Sequence, residues 1–233
     1  MENVIASSNM VYWVLFIGIA IASWAVSALL NRRMKEYSQT PIGMTGKEVA
    51  EKMLRDNGIT DVAVTCTKGE LTDHYNPANK TVNLSETVYD KANVAAAAVA
   101  AHECGHAVQH DKAYAPLKMR SALVPAVSFS SKVMPWVLLI GMFCVESFPV
   151  LLEVGVALFA LTTLFAFITL PVEVDASRRA VNWLQESGIT NRETTEMASK
   201  ALHSAAYTYV VAALSSLATL LYYILVLLGG RRN

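Results

Sequence analysis

His102 and His106 stand four residues apart, with Glu103 directly after the first, in the H-E-x-x-H pattern His102-Glu103-Cys104-Gly105-His106. On a helix, residues i and i+4 project from one face, so the two imidazoles can share a metal ion. The carboxylate beside the first is placed to take a proton from a metal-activated water. That is the chemistry of zinc-assisted hydrolysis. Cys104 lies about 200° around the helix from His102 and is expected to pack rather than to bind metal.

Zinc in a catalytic site takes three protein ligands and keeps a fourth position for water, so a third ligand is needed. A metzincin spacing is excluded, because Gln109 and Lys112 stand where its glycine and third histidine would be. His110, one turn past His106, would be displaced along the helix axis. The better candidate is Glu173, within Leu170-Pro171-Val172-Glu173-Val174-Asp175-Ala176-Ser177-Arg178-Arg179-Ala180. Pro171 suits the first turn of a new helix. Ala176, Ser177 and Ala180 would share the face of Glu173, a small-residue face able to pack on the histidine helix, where Ala98 and Val99 precede His102. A donor for the tetrahedral oxyanion is also required, and the candidates are His74, His203, Tyr209 and Arg178. Asp175 either orients a ligand or pairs with Arg178 or Arg179.

The elements that must hold these groups belong to a membrane protein. The 233 residues are 54% hydrophobic and 16% charged, with mean hydropathy +0.36, too apolar for an ordinary soluble domain. The formal charge of zero gives no basic balance that would argue for a nucleic-acid partner. Three cysteines without C-x-x-C spacing suggest neither a disulfide framework nor a thiolate zinc site. Apolar runs at 11–30, 121–144, 149–170 and 205–228 are each long enough to span a bilayer. The second and third are joined by the short turn Val145-Glu146-Ser147-Phe148.

Arg32, Arg33 and Lys35 follow the first span and place its end in the cytoplasm. The polar segments 31–120 and 171–204 are then cytoplasmic as well. Arg231 and Arg232 on the short tail point the other way and weigh less against that larger loop.

Within 31–120, Thr45 with Glu48 forms a capping signal for a short helix that runs to about Asn57, with Gly58 as its stop. Val62, Val64 and Cys66 alternate as in a strand. Leu71 to Tyr75 and Thr81 to Leu84 flank the turn Asn76-Pro77-Ala78-Asn79. A small antiparallel sheet is expected. Ser85 has the chemistry of a helix cap, and the alanine-rich stretch Ala92 to Gln109 carries the histidines. The expected fold is therefore mainly α, a single membrane domain over 1–233 with about four transmembrane helices and a small sheet beside the H-E-x-x-H helix.

The combination of Leu71-Thr72-Asp73-His74-Tyr75, His102 to His110, Leu170 to Ala180 and Ala205-Ala206-Tyr207-Thr208-Tyr209-Val210 resembles the bacterial neutral zinc metallopeptidases of the YugP type. The order of elements is also similar to that of the HtpX and CAAX prenyl endopeptidases. Their downstream E-x-x-A-D pattern matches Glu173 and Ala176 but has Ser177 where their aspartate stands. The resemblance implies His102, His106 and Glu173 as ligands of one zinc ion per chain and Glu103 as general base.

The expected activity is a gluzincin-like membrane endopeptidase in a multi-pass cell-membrane protein, with its site on the cytoplasmic face. Its partners would be the lipid bilayer and a polypeptide substrate, membrane-embedded or membrane-proximal, in protein quality control. An intramembrane protease would place the motif inside a span, whereas Asp90-Lys91 and His110-Asp111-Lys112 flank it here. A non-catalytic metal-binding scaffold has no need of Glu103.

Overall fold

The structure, a computed structural model, describes residues 2–145 and 147–230. Glu146 of the expected turn and the tail residues Arg231 and Arg232 lie outside the described residues. In chain order the elements are α1 (Glu2–Tyr37), α2 (Gly46–Asp56), β1 (Ala63–Thr67), β2 (His74–Asn76), β3 (Thr81–Ser85), α3 (Glu86–Tyr89), α4 (Val94–Asp111), α5 (Ala115–Phe143), α6 (Pro149–Glu186) and α7 (Arg192–Gly230). By length and composition, α1, α5, α6 and α7 can each cross a membrane.

These helices overrun the apolar runs that mark them. Pro171 does not open a new helix: it lies inside α6, which continues to Glu186, and α7 begins at Arg192 rather than near Ala205. An interior proline removes one backbone hydrogen bond and ordinarily breaks a soluble helix. Membrane helices tolerate it because surrounding groups satisfy the freed carbonyl. The proposed ligand segment is thus the end of one long helix and the start of another.

The chain divides into two compact units. One comprises Met1–Ala25, Met119–Leu170 and Tyr209–Asn233. Within it Leu138, Leu152 and Val156 form a small buried cluster. Ser130 donates to the Leu158 carbonyl at 3.0 Å, and Thr163 and Ser216 share a hydroxyl hydrogen bond of 2.6 Å. Trp24, Phe129, Trp136 and Phe143 are exposed, as befits side chains facing lipid.

The other unit comprises Val26–Lys118 and Pro171–Thr208. Thr45 caps α2 through its side chain while the Glu48 side chain returns to the Thr45 N–H, a reciprocal box. Such a cap is worth about 1 kcal/mol, and its hydrogen bonds hold the Glu48 carboxyl below the usual glutamate range. Gly58, just past the Asn57 cap, takes φ +74°, open to glycine without strain. The sheet has the order β1-β3-β2. β2 pairs with β3 antiparallel, as expected across their turn, but β1 pairs with β3 in parallel from Ala63↔Thr81 to Thr67↔Ser85. The sheet is therefore mixed, because the chain from β1 returns through β2 before it forms the central strand.

Ser85 caps only the single-turn helix α3, and without a side-chain hydrogen bond. The cap of α4 is Asn93, whose side chain accepts from the Ala96 N–H. Helix α4 lies at the centre of this unit's core, with Ala97, Ala101, Cys104 and Val108 buried among Val49, Met53, Leu84 and Leu184. Cys104 packs as expected. Its thiol is fully buried, which pushes its pKa up, and it lies 3.6 Å from the Ala50 carbonyl oxygen of α2.

Candidate metal centre

Two helices supply the candidate ligands. Helix α4 presents His102 and His106 one turn apart, with ring centroids 4.8 Å apart and planes at 81°. Helix α6 crosses α4 closely enough for Glu173 to reach both. Its Oε2 is 3.3 Å from His102 Nε2 and 3.6 Å from His106 Nε2. Gly105 makes the crossing possible: a Cβ on this residue would sit 2.6 Å from the Ala176 carbonyl oxygen. Ala176 and Ala180 are fully buried, so the small-residue face expected around Glu173 does pack inward. Gly105→Ala is expected to push the helices apart and lower stability by about 1–3 kcal/mol, the usual cost of overpacking, read as a fall in Tm.

The three donor atoms lie within 4.8 Å of one another. Two atoms bound to one tetrahedral zinc at about 2.1 Å are about 3.4 Å apart, so the spacing of Oε2 from each imidazole fits that ion. His106 and Glu173 are buried and His102 is partly so. Burial pushes the pKa of His106 down, but the carboxylates of Glu173 and Glu103 outweigh it and leave the pKa above the ordinary histidine value. The pocket thus favours positive charge, and a divalent cation meets the same carboxylates.

Hydrogen bonds turn both rings toward the cluster. Ser177 Oγ is 3.1 Å from His102 Nδ1, occupying the place of the aspartate in the related pattern. Gln109 Oε1 is 3.1 Å from His106 Nδ1. The Gln109 amide is oriented by its other end, because Nε2 donates to the Val172 carbonyl at 2.8 Å and to Asp175 Oδ2 at 3.0 Å. With Nε2 facing two acceptors, Oε1 must face His106. Nδ1 then carries the proton, and the Nε2 lone pair points at Glu173 and any shared metal. Asp175 is held in turn by Arg178 at 2.7 Å and Arg179 at 2.6 Å. Asp175 therefore pairs with both arginines and also supports the candidate ligand His106 through Gln109.

Glu103 is buried beside the cluster, and its Oε2 accepts the Tyr75 N–H at 2.9 Å. Tyr75 is on β2, the edge strand of the sheet, so the edge away from β3 faces the H-E-x-x-H helix. The Tyr75 hydroxyl pairs with His110 Nδ1 at 2.7 Å. His110 is thus engaged outside the three-donor cluster.

The expected oxyanion donors are scattered. His74 is exposed, with Nδ1 2.7 Å from the Thr72 carbonyl oxygen. His203 is exposed, with Nδ1 2.7 Å from the Ser199 carbonyl oxygen. Arg178 is engaged by Asp175, and Tyr209 belongs to the first compact unit. Ser177, Arg178 and His203 do line one cavity of about 290 Å³.

Gln109, which in the sequence only excludes a metzincin spacing, has a place in the site. The signal was available: an amide three residues after His106 lies on the same helix face. The Tyr75 N–H has no such signal, since a backbone group carries no residue identity.

Residues 12–228 match the family described as "Putative neutral zinc metallopeptidase". Over 223 residues, 93% of this chain and 98% of the relative, the chain is 40% identical to the Bacillus subtilis (strain 168) protein named "Putative membrane protease YugP". No solved structure matches. With the family pattern covering nearly the whole sequence and a relative this similar over its full length, the chain belongs to this family of zinc metallopeptidases.

Proposed function

We propose that the protein is a zinc-dependent membrane endopeptidase, gluzincin-like, that binds one zinc ion per chain through His102, His106 and Glu173 and uses Glu103 as general base. The carrying observation is the convergence of His102 Nε2, His106 Nε2 and Glu173 Oε2, with the Glu103 carboxylate near enough to act on His106. Zinc bound there supplies a Lewis acid that acidifies water and polarises a peptide carbonyl.

The chain's own groups do the rest. The Tyr75 N–H holds Glu103 Oε2, leaving Oε1 to take the proton of the attacking water and return it to the leaving amine. His203 and Arg178, which share the cavity lined by Ser177, stabilise the oxyanion in this reading. A pure metal-binding scaffold would not need a buried carboxylate held beside its ligands. Arg32, Arg33 and Lys35 after the first span favour a site on the cytoplasmic face. Membrane-embedded or membrane-proximal polypeptides in quality control are the corresponding substrates.

The test is zinc content measured beside hydrolysis of an unfolded protein such as casein, by the purified full-length protein. Absence of both zinc and hydrolysis would overturn the reading. Gln109→Leu adds a finer check: loss of the support for His106 is expected to weaken zinc binding about 10–100-fold. Competition with a chromogenic chelator measures this, and unchanged affinity would remove Gln109 from that role.

A further inference from the structure

We propose that a cavity of about 620 Å³ next to the ligand cluster receives apolar side chains of the polypeptide to be cleaved, so that the enzyme prefers hydrophobic stretches. This rests on the peptidase reading above.

The cavity adjoins the site along α4. Ala95, Ala98 and Val99 in its wall stand seven, four and three residues before His102, on the helix face that carries both imidazoles. Across from them the wall is formed by Ala201, Leu202 and Ala205 of α7. Leu202 also lines the smaller cavity that contains Ser177, whose hydroxyl reaches His102. The cavity further touches Asp73, the residue before β2. The segment that enters β2 therefore runs from the cavity wall at Asp73 to the Tyr75 N–H that holds Glu103.

Size and polarity define the occupant. The volume is within the ~300–1,000 Å³ of sites that enclose an organic ligand, and alanines on both helices make the room. The charged wall residues are Lys35, Glu70 and Asp73, and Asp73 is occupied by the Ser85 N–H and hydroxyl. One cation against two carboxylates repels a phosphate head group, which favours a neutral apolar peptide segment over a phospholipid. Leu71, also in the wall, is 79% exposed and takes φ +56°. A branched side chain held exposed in that unfavourable region is a strained apolar lip, a feature retained at ligand-contact segments.

Binding to the Glu103→Gln protein separates this cavity from catalysis. Two fluorescent peptides share a central dipeptide, one flanked by Leu and Phe and the other by Ser and Asn. The apolar peptide is expected to bind about tenfold more tightly, the worth of burying one large apolar side chain. Ala205→Phe, added to fill the cavity, is expected to bring the ratio of affinities to about one, and Leu71→Ser to reduce it, with Tm confirming that both variants fold. Equal affinity for the two peptides, or a ratio untouched by Ala205→Phe, overturns the proposal. A phospholipid that copurifies with the parent and is lost on Ala205→Phe, with peptide binding unchanged, assigns the cavity to lipid and overturns it as well. Preferential binding without cleavage by the zinc-loaded parent would instead support the cavity and sink the peptidase reading.

Discussion

Glu103→Gln is expected to keep its zinc and to lose peptide hydrolysis by about 10²–10⁴-fold, the share that a positioned general base contributes. The isosteric amide preserves packing at a buried position, and its carbonyl can still accept the Tyr75 N–H that Glu103 Oε2 accepts at 2.9 Å. What it cannot do is take a proton. Zinc content by elemental analysis and casein hydrolysis, measured on the same preparation, give the two readouts. Parent-like hydrolysis in this variant would end the assignment of Glu103 as base, whereas joint loss of zinc and activity would make it a ligand.

Glu173→Ala is expected to lose both. The two imidazoles that remain lack the third donor and the charge that a buried dication requires. Glu173 is 2% exposed, so truncation also leaves a cavity between α4 and α6. Glu173→Gln is the companion variant: it keeps the volume but removes the charge, so zinc should be lost while Tm changes less than in Glu173→Ala. Zinc retained in both would sink the third-ligand assignment.

The H-E-x-x-H helix was legible because its information is local: two imidazoles four residues apart share a face of any helix. Four apolar helices were equally plain, since the bilayer sets their length. Glu173 could be put forward as a candidate by asking which carboxylate follows the apolar hairpin of the second and third spans. Its helix was misread, because Pro171 carries the signal of a helix start in water but not where apolar surroundings keep α6 intact.

Nonlocal features were harder to read. The parallel pairing of Ala63–Thr67 with Thr81–Ser85 leaves no mark in alternation or turn residues, and the pattern supports either direction equally. Ser85 and Asn93 are both competent caps, and which of them opens α4 depends on where α3 ends. Ser177 read as a departure from the related pattern. Only the approach of α6 to α4 shows its hydroxyl at His102.

The Gln109 amide has a consequence for the charge at the candidate metal centre. In many zinc proteins a carboxylate touches the far nitrogen of a ligand histidine and makes that ring more electron-rich. Here the carboxylate is Asp175, already neutralised by Arg178 and Arg179, and a neutral amide separates it from His106. The amide converts a carboxylate's demand for a donor into an acceptor for the ring, passing on direction without passing on an electron-rich partner. Glutamate at this position would present no donor to Asp175, lysine no acceptor to His106, and asparagine would be one methylene too short. The negative charge next to a bound ion would then come from Glu173 and Glu103, with Asp175 held one amide away.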